Sequence, residues 1–141
     1  MAKNEEEKKE KIDLFYLILS PNQNNITYIM IKKLFLDDLR SIEMVYDKSM
    51  ENEFDIVRNY KDFVEYIQNK GLPNFISFDN DLGLDENGII APDGYAAAKW
   101  LVYESGLNLI HLKFKVHSAN PIASEQIKSL LTNYINHLKN S

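Results

Sequence analysis

The chain of 141 residues has no cysteine and only three histidines, which removes disulfide scaffolds, thiolate metal centres and histidine-rich ones. A metal site in such a chain must be built mainly from oxygen. Long apolar runs are missing as well. Leu14 to Leu19 falls far short of the roughly 20 residues that span a bilayer, and the mixed acidic and basic stretch before it is unlike the basic start of a secretory leader. The expectation is a cytoplasmic protein with no membrane partner. Nor is there an excess of positive charge. A formal net charge of -5 gives no general attraction for duplex nucleic acid or an anionic membrane, so a small ligand or a metal cation is the expected partner.

What is present is ordinary globular composition, 45% hydrophobic with 26% charged residues, at a length that suits one core. The first eleven residues, MAKNEEEKKEK, read as a solvated tail. IDLFYLILS and ITYIMIKKLFLDD follow, separated by the turn-forming PNQNN, and could form two strands. A chain opening at Met30 would still contain every clearer element downstream, so residues 1–29 are expected to be an extension and residues 30–141 the domain.

From Lys33 onward the pattern sharpens. Lys33 to Leu36 and Phe75 to Phe78 are short, almost wholly apolar runs that end in aspartates, as strands covered on both faces do, and are predicted to be central. Phe54 to Val57 is a third strand. Tyr60, Phe63, Val64 and Ile67 then recur at helical spacing, with Asn59 placed to cap and Gly71 to terminate. Ala96 to Glu104 form the body of a second helix, ended by Gly106, and the small residues Gly94 and Ala96 to Ala98 allow it close to a sheet. In HLKFKVHS, apolar residues alternate strictly with lysines and histidines, which predicts an edge strand with one wet face. A third helix begins after Asn120 and Pro121, carrying the apolar stripe Ile127, Leu130, Leu131, Tyr134, Ile135 and Leu138. Strands alternating with helices across short loops imply an α/β, doubly wound, mostly parallel sheet.

In such sheets the ligand crevice lies beyond the carboxyl ends of the strands, and the polar residues of this chain fall there. Asp37 and Asp38 close one strand, Asp79 and Asp81 a second, and His117, Ser118 and Asn120 a third. Carboxylates brought together repel unless a cation sits among them, and oxygen ligands without sulfur suit Mg2+ or Mn2+. Isolated strand-end aspartates commonly cap helices or make turns, but two pairs on adjacent strands favour a shared metal site. Asp85, Glu86 and Asp93 are accounted for by turns and capping. Arg40 is either a surface cation or a bidentate phosphate ligand. His117 is either a surface residue of an edge strand or a general acid or base. His111 and His137 read as structural or solvated.

The segments LFLDDLR, FDNDLG and VHSAN resemble, in that order, the acidic pair, the aspartate strand end and the serine or threonine followed by alanine of two-component receiver domains. More closely, DDLR at 37–40, FDNDLG at 78–83, DGYAAAKWL at 93–101 and HSANP at 117–121 resemble the divergent cyclic-phosphate processing receiver family. The resemblance implies a receiver-like, flavodoxin-like sheet truncated after the fourth receiver strand. It also implies metal-dependent action on cyclic phosphates such as those at RNA ends. It carries over Asp37 and Asp38 as metal ligands, Asp79 as ligand or nucleophile, and Ser118 as a phosphate contact; from their own places at the strand ends, Asp81 is expected to join the metal ligands and Asn120 the phosphate contacts. Asn80 stands where the family pattern has histidine, and asparagine cannot transfer a proton near neutral pH. No fifth strand is predicted to supply the lysine that meets the phosphoryl group in signalling receivers.

Three functions follow. The first is a Mg2+- or Mn2+-dependent phosphoesterase in which Asp79, His117 and Arg40 act on the substrate and Arg40, Ser118 and Asn120 hold its phosphate. The second is a non-catalytic or phosphoaccepting receiver-like module. The third is a haloacid-dehalogenase-like phosphatase, which would carry its DxD on the first strand, whereas here FDNDLG follows a complete βα pair.

Overall fold

Four short strands predicted from their apolar runs come together as one all-parallel sheet in the computed structural model, which describes residues 32–141. They are β1 (Lys33–Leu36), β2 (Phe54–Val57), β3 (Phe75–Phe78) and β4 (Lys113–Val116), in the spatial order β2-β1-β3-β4. The two runs expected to be central are central, and among the described residues the alternating lysine strand is an edge. The fold is α/β and receiver-like, and among the described residues it stops at the fourth strand. Residues 1–31 lie outside the described residues, and with them the strand suggested at IDLFYLILS and the beginning of the one suggested at ITYIMIKKLFLDD, whose later part is β1.

Strand alternation divides the apolar residues between two faces. Leu34, Leu36, Ile76, Phe78 and Val116 point into the larger core with Phe63, Trp100, Leu101, Ile127 and Leu131. These last come from α1 (Tyr60–Lys70), α2 (Gly94–Tyr103) and α3 (Pro121–Lys139). Burying a side chain of this size contributes about 1.5–3 kcal/mol, so this face supplies much of the stability. The opposite face carries Phe35, Phe54 and Phe75, packed with Ile42, Val45, Tyr46 and Met50. Two 3-10 turns, Ile42–Met44 and Lys48–Glu53, supply that cover in place of a regular helix after β1.

The caps act as the sequence implies. Asn59 accepts the Asp62 N–H at the start of α1, and Asn120 accepts the Ile122 and Ala123 N–H groups at the start of α3. Asp93 accepts the Ala96 N–H, which starts α2 at Gly94, two residues before the expected body of that helix. Gly94 is required there for space. A Cβ on it would overlap the Asp79 carbonyl oxygen and lie 3.0 Å from the Asn80 Cα. Only glycine lets α2 begin against the end of β3.

The register then sets up the site. Leu36 pairs with Val57 and with Phe78, and Phe78 pairs with Val116. All four strands therefore end level, and the next residues, Arg58, Asp37, Asp79 and His117, emerge side by side. The ladder continues one step into them, through Asp37 N–H to Val57 O, Asp79 N–H to Leu36 O and His117 N–H to Phe78 O.

Two tests follow from this architecture. Gly94→Ala is expected to lower unfolding stability by about 2 kcal/mol or more through overpacking. Gly106→Ala, at a positive φ of 70° with nothing within 4 Å, is expected to cost about 1 kcal/mol. Equal losses in a denaturant titration would contradict the close approach. We also propose that residues 30–141 fold alone; a fragment that unfolds without cooperativity would make residues 1–29 part of the fold.

Candidate active site

Asp37, Asp79 and His117 each follow a strand with odd-numbered parity, so all three side chains leave on the face of Phe35 and Ser77. Asp37 is the hub. Its Oδ1 accepts the backbone N–H groups of Leu39 at 2.9 Å and Arg40 at 2.8 Å, and its Oδ2 lies 2.9 Å from His117 Nε2. Arg40 Nη1 sits 3.5 Å from Asp37 Oδ2 and 3.9 Å from Asp79 Oδ1, and donates to the His117 carbonyl at 3.2 Å. One guanidinium thus touches the ends of three strands. Asp79 Oδ1 accepts the Asn80 N–H at 2.8 Å. One ligand atom each from Asp37, Asp79 and His117 lie within 4.8 Å of one another.

Burial and charge separate the two central aspartates. Burial alone would raise Asp37, but the Arg40 and Leu39 N–H groups and the His117 side chain outweigh it and hold the carboxyl below its ordinary 3.8. Asp79 lacks that support. Burial, then the neighbouring Asp37 charge, push it up to about 6. Burial lowers His117 below its ordinary value by more than its bond to Asp37 raises it. Asp38 is raised by burial, then by the Asp37 and Asp81 charges.

In front of these groups lies a cleft of about 460 Å³ lined by Asp37, Asp38, Leu39, Arg40, Asp79, Asp81, Ser118, Ala119 and Asn120. Seven of the eight residues singled out from sequence are in that lining. The eighth, His117, is set behind Asp37 with its side chain 2% exposed. His111 and His137 are exposed on the surface. Asp81 turns its Oδ1 to the Gly83 N–H at 3.0 Å. Asn80, in the position where the motif has histidine, points its Oδ1 at the Tyr95 N–H, 3.2 Å away, and helps start α2. Asp85 makes the turn expected of it, accepting from Asn87 and Ile89.

Three supporting residues went unnoticed in the sequence. Arg58 Nη1 donates to the carbonyls of Asp37 at 3.0 Å and Arg40 at 2.7 Å, clamping the turn between them. Ser77 and Tyr46 bond to each other and, through Ser77, to His117 Nδ1. Arg58 could have been found from its place beside Asp37 at the level strand ends. The other two are joined only by folding.

With this geometry in place, comparison with known families is decisive. The cyclic-phosphate processing receiver domain matches residues 32–133. The chain belongs to this family. No curated protein and no solved structure matches it. As a member of the cyclic-phosphate processing receivers, the chain has a receiver-like domain associated with cyclic-phosphate processing. No helix among the described residues is long and apolar enough to cross a membrane.

The donor set suits a hard divalent cation, being carboxylate oxygen with one imidazole nitrogen in reach. The raised Asp79 is a charge that such a cation would relieve. Without metal, the raised Asp79 favours the native state only while protonated. That contribution is full below pH 3.8 and is lost as pH rises through about 6. Asp79→Asn in a chelator is therefore expected to stabilise the protein above pH 7, by roughly 1–3 kcal/mol, with the gain vanishing toward pH 4. A gain independent of pH, or a loss at pH 8, would contradict this account of Asp79.

Proposed function

We propose that this domain is a Mg2+- or Mn2+-dependent phosphoesterase that opens a cyclic phosphate, on a nucleotide or an RNA end. The observation that carries the proposal is the acidic cleft itself, where Asp37 and Asp79 stand side by side beneath Arg40 and beside Ser118 and Asn120. Asp37 and Asp79 would hold the cation, with Asp38 and Asp81 at the rim. Bound there, the cation would polarise the phosphoryl oxygens and neutralise developing charge.

The chain's own residues do the rest. Arg40 supplies a planar pair of donors suited to phosphate oxygens, and Ser118 and Asn120 offer hydrogen bonds at the start of α3. These contacts fix the phosphorus above Asp79, and positioning of this kind is a main source of rate in phosphoryl chemistry. Asp79 takes a proton from the attacking water. The new P–O bond forms, one ring P–O bond breaks, and the ring oxygen that leaves receives the proton. His117 lies one carboxylate behind the cleft, so its part is to hold Asp37 rather than to meet the substrate. Asn80, committed to α2, takes no part in proton transfer.

The alternative is a phosphoaccepting module in which Asp79 is itself the acceptor, favoured by the partly buried carboxyl at the receiver strand end. A panel of 2′,3′-cyclic nucleotides, linear phosphoesters and acetyl phosphate, with and without Mn2+, separates the two. Metal-dependent turnover of the cyclic esters is expected, with kcat reduced about 100-fold or more in Asp79→Asn and both kcat and KM impaired in Arg40→Ala. A stable aspartyl phosphate formed from acetyl phosphate, without turnover of any ester, would select the module instead.

A further inference from the structure

Ser77 is out of pattern for a central strand. It is fully buried, paired laterally with Phe35 and Lys115, at a place where an apolar side chain would leave no polar atom to satisfy. Its hydroxyl instead makes two bonds of 2.7 Å, to the Tyr46 hydroxyl and to His117 Nδ1. The His117 ring stacks on Phe35 with centroids 4.6 Å apart and planes within 3°, and its other nitrogen is 2.9 Å from Asp37 Oδ2. The imidazole is therefore held on both nitrogens and on one face.

The Asp37 carboxylate against Nε2 requires a hydrogen on that nitrogen whether the ring carries one hydrogen or two, and the neutral ring shows how the rest of the chain runs. A hydroxyl has one hydrogen to give, and a neutral imidazole has one N–H and one acceptor nitrogen. If Nδ1 carried the hydrogen, the lone pair of Nε2 would face an ionised carboxylate at 2.9 Å. With the hydrogen on Nε2, every contact has one donor: Tyr46 to Ser77, Ser77 to Nδ1, and Nε2 to Asp37. We infer that Ser77 and Tyr46 are positioning residues that lock the His117 ring with its Nε2–H on Asp37, so that His117 orients that carboxylate and is not itself a metal ligand. The consequence for turnover rests on the phosphoesterase proposal; the state of the ring does not. Outer partners that orient a ligand in this way commonly change affinity or activity about 10-fold to 100-fold when removed.

The test reads the imidazole nitrogens of the 15N-labelled full chain by two-bond proton–nitrogen NMR at pH 7.5, in chelator and in saturating Mg2+. His117 is expected as the Nε2–H form, with a hydrogen-bonded Nδ1 and a slowly exchanging Nε2–H proton, in both conditions. Ser77→Ala should move the Nδ1 resonance and lose the Nε2–H signal to solvent exchange. Tyr46→Phe should act in the same direction but less, and it decides the matter should Ser77→Ala fail to fold. A hydrogen on Nδ1 in the parent, a Mg2+-induced loss of the Nε2–H, or unchanged His117 resonances in the variants would overturn the assignment. In turnover of a 2′,3′-cyclic nucleotide, Ser77→Ala should lower kcat about 10-fold to 100-fold with KM little changed, and an undiminished kcat would remove the positioning role. If no cyclic phosphate is turned over by the parent, the phosphoesterase proposal fails while the NMR result still decides the state of the ring.

Discussion

Two carboxylates forced side by side at the ends of adjacent central strands are the constraint around which the rest of this domain is arranged. The parallel register leaves no choice, because Leu36 pairs with Phe78 and the next residue on each strand is an aspartate. Like charges in a partly buried setting destabilise the native state unless something offsets them. For Asp37 the offset is complete, with two backbone N–H groups on one oxygen and His117 on the other. For Asp79 it is not, and its carboxyl rests at about 6. The imbalance marks Asp79 as the group that still needs a proton or a cation.

The surroundings read as supports for that pair. Arg40 bridges both carboxylates from the cleft side, and Arg58 fastens the backbone of the turn that carries Arg40. Gly94 allows α2 to start directly against the Asp79 carbonyl, so the end of β3 is held by a helix rather than left as a loop. Behind the pair, Phe35, Ser77 and Tyr46 hold His117. Under the proposed function, a metal ion that took over the carboxylates' charge would let the Arg40 guanidinium turn toward a phosphate, which would link cation and substrate at one place.

Much of the fold was legible because its signals are local. The strands Lys33–Leu36 and Phe75–Phe78 are buried on both faces and so are apolar apart from Lys33 and Ser77, and each helix begins at a side chain that caps it. The 3-10 turns from Ile42 to Glu53 were not legible. They follow no helical period and are held by long-range contacts, the packing of Ile42, Val45, Tyr46 and Met50 on Phe35, Phe54 and Phe75 and the Tyr46–Ser77 hydrogen bond. At the site, the cleft residues could be named because strand ends and acidic pairs are visible in order along the chain. The direction of His117 could not. It depends on Ser77, 40 residues away, and on Asp37, 80 residues away, and such partners leave no trace in spacing. The structural part that Asn80 plays in place of the motif's histidine was not legible either, because its tie to Tyr95 exists only after α2 has docked.

The central claim is that Asp37 and Asp79 form a cation site on which phosphate chemistry depends. Crystals grown with Mn2+ and measured at an energy where manganese scatters anomalously test it most directly. The account predicts a single strong anomalous peak at about 2.0–2.3 Å from a carboxylate oxygen of each of Asp37 and Asp79, with Arg40 displaced from between them. Absence of a peak there, with Arg40 still paired to both carboxylates, would contradict it.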